Sequence, residues 1–249
     1  MRMTKGHRIS WKIAGIFFLG VITCPQLPGE TPKPAAEVAP PEMTEYMGRT
    51  IAQTMHWSGA GWLIRHKREQ EEASTLMREK LELKPGMNVC DMGSGNGYHA
   101  LPMAKAISPG GKVYCVEIQQ EMLDMLQKRA EAAGVKNLVS VLGQPWDPKL
   151  PESSCDIILM VDVYHEFSYP PQMLAGMRKA LKPGGRIVQV EYRAEDDEVP
   201  IKPEHKMSKV QVKKELTANG FKLVKEFDGL PWQHMMWFEK AEMPADAKP

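Results

Sequence analysis

The sequence predicts an α/β domain: a doubly wound sheet of seven strands, mostly parallel, with helices on both faces and a closing antiparallel hairpin. Three observations predict it. From Met87 onward, short β-branched runs alternate with amphipathic stretches of about 10 to 15 residues, the pattern of βαβ units on a parallel sheet. A glycine-rich loop follows the first run directly and opens a helix near Tyr98. The last two runs are joined only by Asp228-Gly229-Leu230-Pro231, too short for a parallel crossover.

In chain order, strands are predicted at Asn88–Met92, Lys112–Ile118, Leu138–Leu142, Ile157–Val161, Arg186–Tyr192, Phe221–Phe227 and Gln233–Glu239. Between them Gln120–Ala133 carries Met122, Leu123, Leu126 and Ala130 on one stripe and stops at Gly134. A second helix runs over Pro171–Leu181. A third follows Ser208, whose spacing to Gln211 fits a capping box, and ends at Asn219-Gly220. Upstream, Met43–Met55 and Glu69–Leu83 have helical spacing broken by Gly59-Ala60-Gly61, which predicts a helical cap over 43–83 ahead of the main domain at 84–240. Residues 241–249 form a short Ala/Pro/Lys tail.

Arg2, Lys5, Arg8 and Lys12 precede the apolar run Ile13–Thr23, so residues 1–24 read as an export signal or a lipoprotein-like segment. Val21-Ile22-Thr23-Cys24 resembles a lipoprotein box, with Thr where a smaller residue is usual, and offers Cys24 for lipidation. The run is shorter than the roughly 20 residues of a spanning helix. An exported or envelope-associated protein, periplasmic or membrane-tethered through its N-terminus, is expected; a cytoplasmic form is the alternative. Six prolines in residues 25–42 predict an extended linker.

A formal charge of +1 gives no global field for nucleic acid. Cys24, Cys90, Cys115 and Cys155 are scattered without zinc-type spacing or a disulfide pattern, and no metal is expected.

In Asp91-Met92-Gly93-Ser94-Gly95-Asn96-Gly97 the glycines permit positive φ and close approach of backbone to a flat adenosine-type group. Glu117 ends the second strand, placed to accept hydrogen bonds from both ribose hydroxyls. A dinucleotide loop needs its third small residue where Tyr98 stands, so a nicotinamide-dependent oxidoreductase loses ground.

On these motifs, with Asp156 to Phe167 around the fourth strand, the turn Leu181 to Arg186 and the closing hairpin, residues from about Lys84 to Phe238 resemble the class I S-adenosylmethionine-dependent methyltransferases of small-molecule type. The resemblance implies a Rossmann-like fold, S-adenosylmethionine as cofactor and a small or medium-sized acceptor whose nucleophile, O, N, S or C, is undetermined. It implies that Asp91 and the backbone of Gly93, Ser94, Gly95, Asn96 and Gly97 hold the methionine end, with Glu117 and Ile118 at the ribose. Gln144 stands where the family often has an acid for the adenine amino group, and Trp146 either covers the adenine or plugs the sheet edge.

Asp162-Val163-Tyr164-His165-Glu166-Phe167 follows the fourth strand and should face the crevice beyond the strand ends. Asp162 is assigned to the cofactor; Tyr164, His165 and Glu166 are the catalytic candidates. His165 leads as a base because imidazole titrates near pH ~6.5; its other reading is packing. The Asn/Asp-Pro-Pro-aromatic tetrapeptide of amino-group nucleic acid methylases is missing, which argues against a nucleic acid substrate. The segment Met43–Glu82, with His56, Trp57 and Trp62, and the connection 193–207 are expected to cover the pocket, while Trp232, His234 and Trp237 are expected to pack the core or protect the edge of the hairpin. A non-catalytic S-adenosylmethionine-binding protein of the cell envelope is the alternative function, since an exported enzyme has an uncertain donor supply.

Overall fold

Apolar alternation along the strands decides how the two helical layers attach. The structure, a computed structural model, describes residues 39–242; the export-like segment, Cys24 and most of the proline-rich linker lie outside the described residues. A minor hairpin pairs β1 (Glu45–Tyr46) with β2 (Arg49–Thr50). The main strands are β3 (Val89–Met92), β4 (Val113–Glu117), β5 (Leu138–Leu142), β6 (Cys155–Val161), β7 (Leu181–Arg193), β9 (Phe221–Phe227) and β10 (Gln233–Lys240), in the order β5-β4-β3-β6-β7-β10-β9. β3 to β7 are parallel, and β10 runs antiparallel to both its neighbours. A short strand, β8 (Lys206–Met207), adds in parallel to the end of β7 and is absent from the sequence expectation.

Successive strand residues point to opposite faces, so each strand feeds two cores. On one face Cys90, Met92, Ile158, Met160 and Phe238 pack against α5 (Pro170–Ala180) and α6 (Lys209–Ala218). On the other, Val89, Leu159, Val188 and Trp237 pack against α2 (Ser74–Lys80), α3 (Ala100–Ala106) and α4 (Gln120–Ala132). Trp237 and His234 are buried, and His234 Nε2 lies 2.8 Å from the Met207 carbonyl, in keeping with the packing role expected of the hairpin. Ser208 caps α6 by accepting the backbone N–H of Gln211.

The cap departs from its expected form. Met43–Met55 is not helical: Met47 and Gly48, at φ 49° and 95°, make a tight turn with two positive φ values that folds β1 onto β2. Glu69–Leu83 is not one helix either. Ala73, at φ 47°, separates α1 (Arg68–Glu72) from α2. The linker also ends earlier than expected, because Met43 N–H donates to the Ser168 carbonyl and the Ser168 hydroxyl donates to Glu42.

Candidate active site

A cavity of about 310 Å³ opens at the carboxyl ends of β3, β4 and β6. Gly93 and Gly95 of the glycine loop, Glu117 at the end of β4 with Ile118 and Gln119 after it, Gln144 and Pro145 after β5, and Asp162, Val163 and Glu166 after β6 line it. The loop is anchored by the N–H groups of Gly93 and Ser94, both donating to the Val116 carbonyl, at 2.9 and 3.0 Å. Glycine is needed at its closest approaches. Gly93 has φ +69°, and a Cβ there would lie 2.4 Å from Val163 Cγ2; Gly95 has φ +50° and a Cβ would meet Leu63 Cδ1 at 2.5 Å.

Glu117 is the best-determined polar group. Its Oε2 accepts Gly95 N–H at 3.0 Å, and its Oε1 accepts Ile118 N–H at 2.7 Å and Gln119 N–H at 3.1 Å. Burial raises its pKa, opposed by those three backbone donors. Across the cavity, Asp162 is held at φ 50°, with one carboxyl oxygen accepting Gln233 Nε2 at 2.6 Å and the other, Oδ1, without a partner. Burial and the charges of Glu72 and Glu191 push its pKa well up. Gln144 Oε1 is likewise buried and unpartnered.

The other loop residues shape the wall from behind. Asp91 is buried and accepts the N–H of Ala100, the first residue of α3, while burial pushes its carboxyl up to about 7. That carboxyl occupies the helix terminus where a dinucleotide's pyrophosphate would dock. Asn96 ties the loop to the cap through the Ala60 carbonyl at 3.0 Å, and Arg129 donates to Asn96 Oδ1 at 2.9 Å. Ser94 is buried with its hydroxyl unpartnered, and a Cβ on Gly97 would press on Leu101 and Leu126. None of these four lines the cavity.

The catalytic candidates separate in the same way. Glu166 lines the cavity, and burial pushes its carboxyl up to about 7. Tyr164 and His165, on the same 3-10 turn, point away from it. Tyr164 Oη donates to Glu215 at 2.8 Å, and Glu215 also receives Arg49 Nε at 2.7 Å. His165 Nδ1 donates to Glu191 Oε2 at 2.6 Å, and its Nε2 faces His205 Nδ1 at 3.1 Å. Burial lowers the His165 pKa, but Glu191, by charge and hydrogen bond, outweighs it and the net shift is upward. Trp146 also lies outside the cavity wall and stacks edge-on against Tyr169.

The cover is in part the expected one: Thr54, Met55 and Leu63 of the segment 43–82 line the cavity, whereas His56, Trp57, Trp62 and the 193–207 connection do not reach it. Gln119 fastens this cover, accepting Trp57 N–H at 2.7 Å and donating to the Met55 carbonyl at 2.9 Å. Sequence reasoning missed Gln119, whose signal was its place directly beyond Glu117 and Ile118. It also missed Glu191, which the sequence betrays as a charge between Val190 and Tyr192 in a buried stretch of the strand.

The side chains fit S-adenosylmethionine by their chemistry. Among the described residues, Glu42, Glu117, Asp162 and Glu166 line the cavity with no Lys, Arg or His beside them; burial holds the last three toward their neutral forms, so the wall offers an anionic pyrophosphate no basic partner, while a cationic ligand would favour their ionised forms. The unpartnered Asp162 and Gln144 oxygens await donors.

A doubly wound sheet with a glycine loop and ribose acid at this point, closed by the antiparallel β10 between β7 and β9, is the arrangement of a class I methyltransferase fold. Comparison places the chain plainly: a family profile described as "Methyltransferase domain" matches residues 83–242, and the chain belongs to that S-adenosylmethionine-dependent family. Protein-L-isoaspartate O-methyltransferase of Pyrococcus horikoshii is 33% identical over 113 residues, 45% of this chain and 48% of that protein. Demethylmenaquinone methyltransferase of Symbiobacterium thermophilum is 31% identical over 109 residues, 43% of each chain. The chain thus spans about half the length of the curated relatives it matches. A crystal structure of a SAM-dependent methyltransferase from Aquifex aeolicus shares the fold, with TM-score 0.70, 23% identity and coverage of 74% of this chain and 98% of that one.

Proposed function

We propose that the protein transfers the methyl group of S-adenosylmethionine to a small or medium-sized acceptor. The observation that carries this reading is the cavity built on the glycine loop and Glu117, whose lining among the described residues holds four carboxyl groups and no basic side chain. When bound, the donor supplies a methyl group activated by a positively charged sulfur. Glu117 orients the ribose, Gln144 accepts from the adenine amino group, and Asp162 faces the cationic end. Thr54, Met55 and Leu63 exclude water from the transfer line. Glu166 is the wall's proton acceptor; His165, 4.0 Å from it and held by Glu191, is a positioning residue.

A cavity of about 310 Å³ favours a small acceptor over a nucleic acid strand. The basic and apolar N-terminal pattern supports export or attachment at the cell envelope, which fractionation and mass spectrometry of Cys24 test. The function itself is tested by calorimetric titration of the full chain with S-adenosylmethionine, S-adenosylhomocysteine and NAD, followed by radiolabel transfer to an acceptor panel. Binding of both adenosyl ligands but not NAD, with turnover of one acceptor, is the expected result. Binding without turnover favours the non-catalytic alternative, and failure to bind either adenosyl ligand refutes both.

A further inference from the structure

Three side chains that the methyl-transfer reading does not need together converge beside the cavity. His165 and Glu166 come from the 3-10 turn after β6, and His205 ends the 3-10 turn that leads into β8. One ligand atom from each lies within 4.8 Å of the other two. We propose that His165 Nε2, His205 Nδ1 and the Glu166 carboxylate bind a divalent transition metal ion of the zinc type.

The distances suit one ion. Two ligand atoms each about 2.1 Å from a metal are separated by about 3.0 Å at an octahedral angle and about 3.4 Å at a tetrahedral one. His165 Nε2 and His205 Nδ1 are 3.1 Å apart. Glu166 Oε1 is 4.0 Å from His165 Nε2, and rotation about its broad outer torsion closes the remaining ~0.6 Å.

The surroundings prepare the ligand. Glu191 is fully buried and accepts Tyr164 N–H at 3.1 Å and Gln189 Nε2 at 2.8 Å on one oxygen, and His165 Nδ1 at 2.6 Å on the other. A carboxylate in contact with Nδ1 fixes the proton there and leaves the Nε2 lone pair facing His205 and Glu166. That is the carboxylate–histidine–metal arrangement. Two imidazoles and one carboxylate are a donor set for zinc or another borderline divalent ion, with further coordination positions free.

Glu166 belongs to the cavity wall although His165 and His205 do not, so an acceptor in the cavity would reach the ion's free positions past Glu166. This last role rests on the methyl-transfer reading: a hydroxyl or thiol acceptor would coordinate as its anion, releasing its proton to solvent, and Glu166 would then act as ligand rather than base. The cysteine spacing that argued against a metal could not register this site, because its donors are histidines and a glutamate joined only by the fold.

The test uses tag-free full-length protein stripped with EDTA, titrated with Zn²⁺ and Co²⁺, and measured by calorimetry, metal analysis and the visible absorption of cobalt. About one Zn²⁺ per chain is expected. His205→Ala and Glu166→Gln should each weaken it by at least about tenfold, while His56→Ala, on the exposed cap, keeps the parent affinity. His205 is only partly buried, so His205→Ala should keep the parent near-ultraviolet dichroism. No zinc bound, or equal affinity in parent and His205→Ala, overturns the site. Donor titration of the same sample is read separately: donor binding without zinc rejects the metal alone, and zinc without donor binding rejects the methyl-transfer reading and leaves the site standing.

Discussion

Replacing Glu117 by Gln changes one atom and tests the donor site most sharply. Both carboxylate oxygens already accept backbone N–H groups, one from Gly95 and two from Ile118 and Gln119. An amide must turn its NH₂ toward one of these sets, and the less costly orientation faces Gly95. That strands one buried donor, at about 1 to 3 kcal/mol, and presents a donor where a ribose hydroxyl expects an acceptor. A hydrogen bond to a charged group contributes about 1.5 to 3 kcal/mol, so the dissociation constant for S-adenosylmethionine should rise about 10- to 150-fold. Calorimetric titration of parent and variant measures this, and urea unfolding records the stability loss alongside. A dissociation constant within about threefold of the parent, in a folded variant, would refute the assignment of Glu117 to the ribose.

Gly95→Arg should abolish donor binding, since it forces a side chain into φ +50° against Leu63; retained binding by calorimetry would contradict the loop's role. Tyr164→Phe removes a bond to the buried Glu215 and should cost about 1.5 to 3 kcal/mol in urea unfolding, with donor affinity unchanged because Tyr164 is outside the cavity wall. Asp91 and Glu166, both pushed up to about 7, bind protons more tightly folded than unfolded, so their contribution to stability is present below about pH 4 and is lost as pH rises to about 7. Thermal unfolding against pH should show that loss, and Asp91→Asn should reduce it. A cationic donor favours the ionised carboxyls, so its affinity should rise with pH through about 7 with proton release, measurable by calorimetry in buffers of different ionisation enthalpy.

The sheet was legible because its strands are apolar runs punctuated by turn residues, and Leu138–Leu142 and Phe221–Phe227 match the sequence reading residue for residue. The glycine loop and Glu117 were legible because backbone approach and acid placement leave local traces. The cap was misread for a specific reason. Gly48 interrupts a helix-like spacing in Met43–Met55, and periodicity alone cannot show that Met47 joins it at positive φ. His165 was placed correctly on its loop, but the direction of its ring depends on Glu191, 26 positions later, and on His205, 40 positions later. His205 reaches it only because β8 docks on β7, a two-residue pairing with no periodic signature.

The position of β10 between β7 and β9 has a consequence for how the chain can be made. Strands β3 to β7 can zip together in the order of synthesis, but β9 has no bonded neighbour until the last strand arrives. On a ribosome, sheet closure therefore waits until residue 240 has emerged, and a chain cut before Gln233 would leave both β9 and the β7 edge with open hydrogen-bonding groups, a template for aggregation.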